Sequence, residues 1–390
     1  AIFLAAVGLL YGMAGTLNMA DIAETLSGPT ARASSDMVTM IGTMLLVAFG
    51  MKAAAFPMFF WLPDSYHTPP AAVSALFSGL LTKVGLYSLI RAFTLMFTAD
   101  IPWTHGLTLG LAGITMLVGV LGAVAQGELR RLLSFQIVSH IGYILMGLGL
   151  MVAVARPGGG EATEASVALA LAGAIMYTMH HVVTATSLFL IAGVVERVGG
   201  SGRMARLGGL SKSAPLLGVL FMISALALSG VPPFSGFWAK AALVKAGLEL
   251  EEGLVVAAAL LTGVLTLFSM MSAWSEAFWK PRPTAEEGGV PEAETPYPMH
   301  PRERVQRFAP IVLLTGVILT IGLVPGPFFR VAERAAGQLL DSSEYIDAVR
   351  SIRTQRPDGE AVRERLRERG LAPDGSPLET GDAEKGGPEA

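Results

Sequence analysis

KAAAFPMFFWLPDSYHTPPAAVSALFSGLLTKVGLYSLIR (52–91) is the stretch whose reading decides the fold. It is apolar enough for a bilayer, yet Lys52 and Lys83 lie well inside its apolar blocks, and Pro57 and the polar turn before Pro70 cut it between them. A charged side chain at the bilayer centre costs at least about 2.5–3.5 kcal/mol, so an intramembrane lysine marks a function. Proline removes a backbone donor and frees a carbonyl that lipid cannot satisfy. A lysine beside a proline break at this depth reads as a discontinuous helix lining an ion path.

The same pattern returns in SGVPPFSGFWAK (229–240), where Pro232-Pro233 break an apolar block shortly before Lys240. Hydropathy gives nine blocks, near 1–17, 37–61, 70–93, 106–126, 132–154, 165–195, 214–247, 253–279 and 308–329. Most reach the roughly 20 residues that cross a core of about 30 Å. Composition agrees, since 52% of the 390 residues are hydrophobic and 15% charged, against about a quarter charged in soluble domains. The expectation is an all-α polytopic membrane protein with about nine transmembrane helices, two of them discontinuous. Residues 331–390, which hold 22 of the 59 formal charges, read as a polar, partly disordered tail with amphipathic helical patterning over 331–369.

If all nine blocks cross, the connections on one side (61–69, 127–131, 196–213 and 280–307) hold eleven Lys and Arg, and the other side holds Arg32 and Arg156, with Arg91 at a helix end. The positive-inside rule makes the first set cytoplasmic, with residue 1 inside and the tail outside. The first block opens at Ala1 without methionine or a cationic leader, and reads as the interior of a longer chain rather than as a signal peptide. Zero cysteines exclude a disulfide framework, thiolate iron–sulfur ligation and a catalytic thiol. No His/Cys spacing suits a transition metal, so neither cofactor nor metal is expected. A net charge of -3 without a basic run argues against nucleic acid.

The type of buried charge carries chemistry. All 21 arginines lie in loops, at span ends or in the tail, whereas Lys52, Lys83 and Lys240 fall within apolar blocks and Lys245 lies one turn beyond Lys240. Arginine keeps its proton, whereas a desolvated lysine can cycle between charged and neutral. At 1.5 Å per residue, Lys52 and Lys83 are both roughly 20 Å from the face they enter by, near mid-membrane. His140 in SFQIVSHIGY (134–143) and His180-His181 in MHHVVTATSLF (179–189) add imidazoles that titrate near neutrality, although a single buried histidine is more often a hydrogen-bonded packing residue. No Asp or Glu stands mid-span, Glu128, Glu196 and Glu276 being at helix ends. Either the lysines rest neutral, or their acid is on another segment or chain.

Residues 52–91, ELRRLLSFQIVSHIGY (128–143) and SGVPPFSGFWAK (229–240) together resemble the antiporter-like membrane proteins shared by respiratory complex I and Mrp-type multisubunit cation/proton antiporters. PDSYHTPPAAVSALFSGLLTKVG (63–85) is most similar to the D-type branch of the Mrp proteins. The likeness runs from residue 1 to about 330. It implies a fold of about fourteen helices with two inverted five-helix repeats, each containing a broken helix with a key lysine. This chain then holds the sixth to fourteenth helices: the C-terminal part of the first repeat over 1–93, the second repeat over 94–280, and a connecting loop with the last helix over 281–330.

By the same resemblance, Lys52 and Lys240 match the lysines of the two broken helices, and Lys83 the lysine that connects the first to the centre. His180 belongs to the relay, with His181, His140, Lys245 and Thr184 as further candidates. The family's acid partner for the first lysine lies one helix before Ala1, and Thr184-Ala185 stand where many relatives have a lysine. The implied function is proton translocation in a multisubunit antiporter of a bacterial inner membrane, exchanging Na⁺ or a similar cation for H⁺, with other membrane subunits as partners. The alternative is a proton-pumping subunit of a complex I or membrane-bound hydrogenase type oxidoreductase. A scaffold subunit that conducts nothing would not need three mid-span lysines.

Overall fold

The computed structural model describes residues 1–27, 35–98, 100–156, 160–284 and 299–354, and the chain divides into two units, Ala1–Asp341 and Ser342–Ala390. The first unit opens with α1 (Ile2–Ala14) and α2 (Met19–Ser27), then α3 (Ser35–Ala53), the short α4 (Trp61–Tyr66), α5 (Ala71–Leu95), α6 (Ile101–Val124) and α7 (Leu129–Gly149). It continues with α8 (Glu161–Gly199), the single turn α9 (Leu210–Ser213), α10 (Pro215–Ser229), α11 (Ser235–Glu249), α12 (Gly253–Trp274), α13 (Pro301–Leu323) and α14 (Pro325–Leu340). The second unit contributes one described helix, α15 (Ser343–Thr354), amphipathic in pattern.

Helices suit these blocks because lipid offers backbone groups no partner, so each segment must satisfy its own. Seven are long and apolar enough to cross a membrane: α3, α5, α6, α7 with its 3₁₀ extension to Ala155, α8, α12 with its π turn to Trp279, and α13. The seventh sequence block is α10 followed by α11, two halves of 15 residues each. At 1.5 Å per residue each half is about 22 Å long and crosses only together with the other.

The first block departs from the expected single span over 1–17. α1 ends at Gly15, and α2 leaves it at a bend of 66°, so the two make at most one broken span. Asn18 supplies the reason, its Oδ1 accepting from the Ala20 nitrogen at 2.9 Å and starting a new helix. The last block also shifts. α13 begins at Pro301, where Glu303 pairs with Arg197 and Arg307 at 3.0 Å each, and it stops at Leu323 because Pro325 cannot continue the helix. α14 carries the fold to Asp341, burying Ala332 and Ala336, four residues apart, in a face that packs on α8.

α8 organises the unit. Its 39 residues run about 58 Å, and it packs against α5, α7, α10, α11, α13 and α14. α7 is buried along almost its whole length. Facing side chains of α7, α8 and α11 therefore meet in the middle of the bundle, remote from solvent.

Candidate functional site

Both proline breaks leave a half-helix whose last carbonyls have no helical partner. At the first, α3 ends at Ala53, Ala54 takes a left-handed φ of 62°, and α4 begins at Trp61. The freed groups are met from the side: the Phe56 nitrogen donates to Thr115 Oγ1 of α6 at 3.0 Å, and Trp61 Nε1 donates to the Met51 carbonyl at 3.0 Å. Pro57 lies within this break. At the second, α10 ends at Ser229, Gly230 turns the chain with a φ of +85°, and Val231-Pro232-Pro233-Phe234 lead into α11.

Lys240 closes the second break. It lies on α11, but its Nζ reaches back to the last carbonyls of α10, donating to Leu228 O at 3.1 Å and Ser229 O at 3.0 Å. An ammonium there meets the negative end of the α10 dipole as well as two acceptors. Its other side lies over the Tyr143 ring, 4.6 Å from the centroid, in cation–π range. Lys52 stands in the equivalent place electrostatically, in the last turn of α3.

From Lys240 a run of rings leads inward. Tyr143 and Tyr177 stack at 5.1 Å, Tyr177 and His140 at 5.9 Å, and the His140 and His181 rings are 5.3 Å apart. The Tyr177 hydroxyl is hydrogen-bonded to His140 Nδ1, and Tyr143 donates to the Ala259 carbonyl of α12 at 2.5 Å. His180, beside this run, is bonded through Nδ1 to Ser235 Oγ at 2.7 Å and to Thr184 Oγ1 at 3.2 Å, which ties α8 to the first residue of α11. The contact is close enough to require glycine at 236, where a Cβ would stand 2.1 Å from Ala227 O and 2.9 Å from His180 Nε2.

Lys83 joins the cluster from α5. It is buried, donates to the Ser78 carbonyl at 2.5 Å, and lies one turn beyond Gly79, which packs against Val182 and Thr186 of α8. α5 and α11 both pack on α8, the helix that carries His180 and His181. The two buried lysines thus come to the histidine helix from different neighbours, Lys83 from α5 and Lys240 from α11.

Two of the sequence candidates lie elsewhere. Lys52 is exposed, in an open hollow lined by Ala48, Met51, Met58, Phe60 and Trp61, and forms no ion pair among the described residues. Lys245 is a correction to the idea of a buried second lysine on α11: its side chain is 66% exposed and pairs with Glu249 at 3.7 Å. Five residues carry it around α11, away from the Lys240 face. Conversely, Tyr143, Tyr177 and Ser235 belong to the site but carry no charge to mark them in the sequence. A weaker signal exists: Tyr143 is three residues after His140 and Tyr177 three before His180, a spacing that puts each on one helix face with a histidine. Among the described residues, no group of three or more His, Asp or Glu could hold a metal ion.

A family model described as NADH:quinone oxidoreductase/Mrp antiporter, TM, matches residues 1–266. The chain is 41% identical over 349 residues to the D-type Na(+)/H(+) antiporter subunit of Alkalihalophilus pseudofirmus, covering 89% of this chain and 65% of that relative. The protein of the same name from Bacillus subtilis is 37% identical over 351 residues, with coverages of 90% and 65%. A chain of the Mrp complex from Dietzia superposes with a TM-score of 0.76 at 32% identity, covering 89% of this chain and 67% of that one. A chain of respiratory complex I from Thermus thermophilus shares the fold, with a TM-score of 0.69 at 23% identity, covering 87% of this chain and 66% of that one. The chain therefore spans about two thirds, 65%, of the length of the curated relatives it matches.

Proposed function

Because the chain belongs to the NADH:quinone oxidoreductase/Mrp antiporter transmembrane family, we propose that it is the proton-translocating part of a multisubunit antiporter in a bacterial cell membrane, exchanging cytoplasmic Na⁺ or a similar cation for external H⁺. It has the all-α, multi-pass antiporter-like fold of that family, and it is a transporter component rather than an enzyme. Its partners are the other membrane subunits of the complex. Protons move through Lys83, the His140–His180–His181 group with Thr184, and Lys240; Lys52 stands at the lateral end of the file, beside the first break. Lys245, in its exposed pair, is outside that path. The two breaks divide the file as inverted repeats would, one break per repeat.

The observation that carries this reading is Lys240 on the α10 carbonyls, joined by stacked rings to the histidines. Lysine and histidine can both release a proton and take it back, and the rings keep the donors within one buried group. The driving force is the proton gradient, including about 2.3 kcal/mol per charge per 100 mV. In everted vesicles, Lys52→Ala and Lys240→Ala should each abolish cation-driven proton exchange while the complex still assembles. Full exchange in both variants overturns the reading.

The family description also names NADH:quinone oxidoreductase, which supports a second reading: the same path driven by electron flow in partner chains. Proton movement elicited by a cation pulse without an electron donor supports the antiporter. Movement only on addition of a quinone or hydrogenase substrate supports the oxidoreductase.

A further inference from the structure

His181 is 1% exposed, and neither of its ring nitrogens has a protein partner among the described residues. Buried polar atoms of native proteins almost always have one. The ring borders a cavity with room for about one water molecule. Gln136 is the other polar side chain lining it, and the remainder is aliphatic or aromatic.

Gln136 is itself 1% exposed and held from one side only. Its Nε2 donates to Ser269 Oγ at 2.7 Å, and its Oε1 accepts from Thr266 Oγ1 at 3.3 Å, both on α12. A primary amide has two N–H groups and two acceptor positions, so one of each remains. A water between Gln136 and His181 would satisfy both side chains. The direction is also defined. Gln136 lies one turn from His140 toward Arg130 and Arg131, and Thr266 and Ser269 lie on the half of α12 that leads to Lys280. Those are the cation-rich ends that the positive-inside rule makes cytoplasmic.

We propose that His181, Gln136, Thr266 and Ser269 form a cytoplasm-facing branch of the proton path between α7 and α12, with Gln136 the positioning residue that holds a water against His181. The branch rests on the proton-translocating reading. A proton on the His181 ring passes to the water as the water gives up one of its own to a further water on the cytoplasmic side, and the ring nitrogen then takes up the next; Thr266 and Ser269 fix the amide from its far side, and the amide keeps its own hydrogens.

The test measures cation-driven proton exchange in everted vesicles carrying the intact protein in its complex. Gln136→Leu keeps the volume and removes the hydrogen bonds, and should lower the rate by about tenfold, the effect of one lost hydrogen bond on a barrier. Gln136→Glu keeps an acceptor for Thr266 and, when protonated, a single donor, so it should recover part of the rate, a rescue that a packing role would not produce. Gln136→Leu at full rate while Lys240→Ala is inactive overturns the branch and leaves the antiporter reading standing. Full rate in Lys240→Ala as well overturns both. If Gln136→Leu does not accumulate, Thr266→Val, which removes only the hydroxyl on Oε1, should slow exchange, and an unchanged rate overturns the branch.

Discussion

Gly85 of α5 lies directly against Ala53, the last residue of α3: a Cβ at position 85 would stand 2.6 Å from the Ala53 nitrogen and 3.0 Å from the Lys52 carbonyl carbon. Backbone cannot yield as the end of a side chain can. Gly85→Ala should therefore push α5 off the first break, costing about 1–3 kcal/mol as overpacking does, and should move Lys83 relative to α8. Gly110→Ala on α6, with nothing within 4 Å of its Cβ site, should be neutral or stabilising by up to about 1 kcal/mol. Thermal unfolding of the purified protein in detergent compares the two.

Lys240→Arg separates the structural from the chemical part of Lys240. Guanidinium retains the charge and the donors that cap Leu228 and Ser229, so the complex should accumulate. It cannot release a proton at the end of α10. Exchange should fall by about 100-fold or more, at the low end of what a positioned proton carrier contributes. Near-normal exchange in vesicles would mean that positive charge at the break, and not proton release, is what matters.

The start of α7 and the end of α8 are tied by one arginine. Arg130 forms a forked pair with Glu196, and its NH1 donates to the carbonyls of Pro69 at 2.6 Å and His67 at 3.3 Å. The pair is mostly buried, with side-chain exposures of 14% and 19%. Arg130→Ala should cost about 3 kcal/mol by leaving Glu196 uncompensated. Arg130→Lys should recover less than half of that, since an ammonium has no planar fork to serve a carboxylate and two carbonyls. Midpoints of thermal unfolding for the three proteins give the order.

What was legible in the sequence follows from what each residue costs. Lys83 and Lys240 could be read because burying a lysine is expensive enough to be deliberate, and Pro57 and Pro232-Pro233 because a broken backbone in lipid is equally so. Tyr143 and Tyr177 cost little to bury, and Gln136 carries no charge to set it apart from the polar residues around it; their role comes from facing positions on α7, α8 and α12 that only the packing brings together. Lys245 shows the opposite error. It shares a helix and an apolar block with Lys240, yet five residues turn it to the outside, where Glu249 meets it. The bend at Gly15 and the continuation of α14 to Asp341 depended on capping by Asn18 and on Ala332 and Ala336 fitting α8, local matters that a hydropathy window averages away.

The hydroxyl of Tyr177 is bonded to Nδ1 of His140, whose Nε2 has no protein partner among the described residues. Tyr177→Phe keeps the stacked ring and strips the remaining partner from a buried imidazole, which should cost about 1–3 kcal/mol. Tyr143→Phe removes a hydroxyl from the Ala259 carbonyl, an acceptor within α12, and leaves the ring under Lys240 in place. It should cost only about 1 kcal/mol and leave the cation–π contact intact. Proton exchange should follow the same order, slowed more by Tyr177→Phe than by Tyr143→Phe, because of the two hydroxyls only that of Tyr177 is bonded to a group that carries the proton. Equal losses in the two variants would show that the rings act through packing and that His140 needs no fixed orientation.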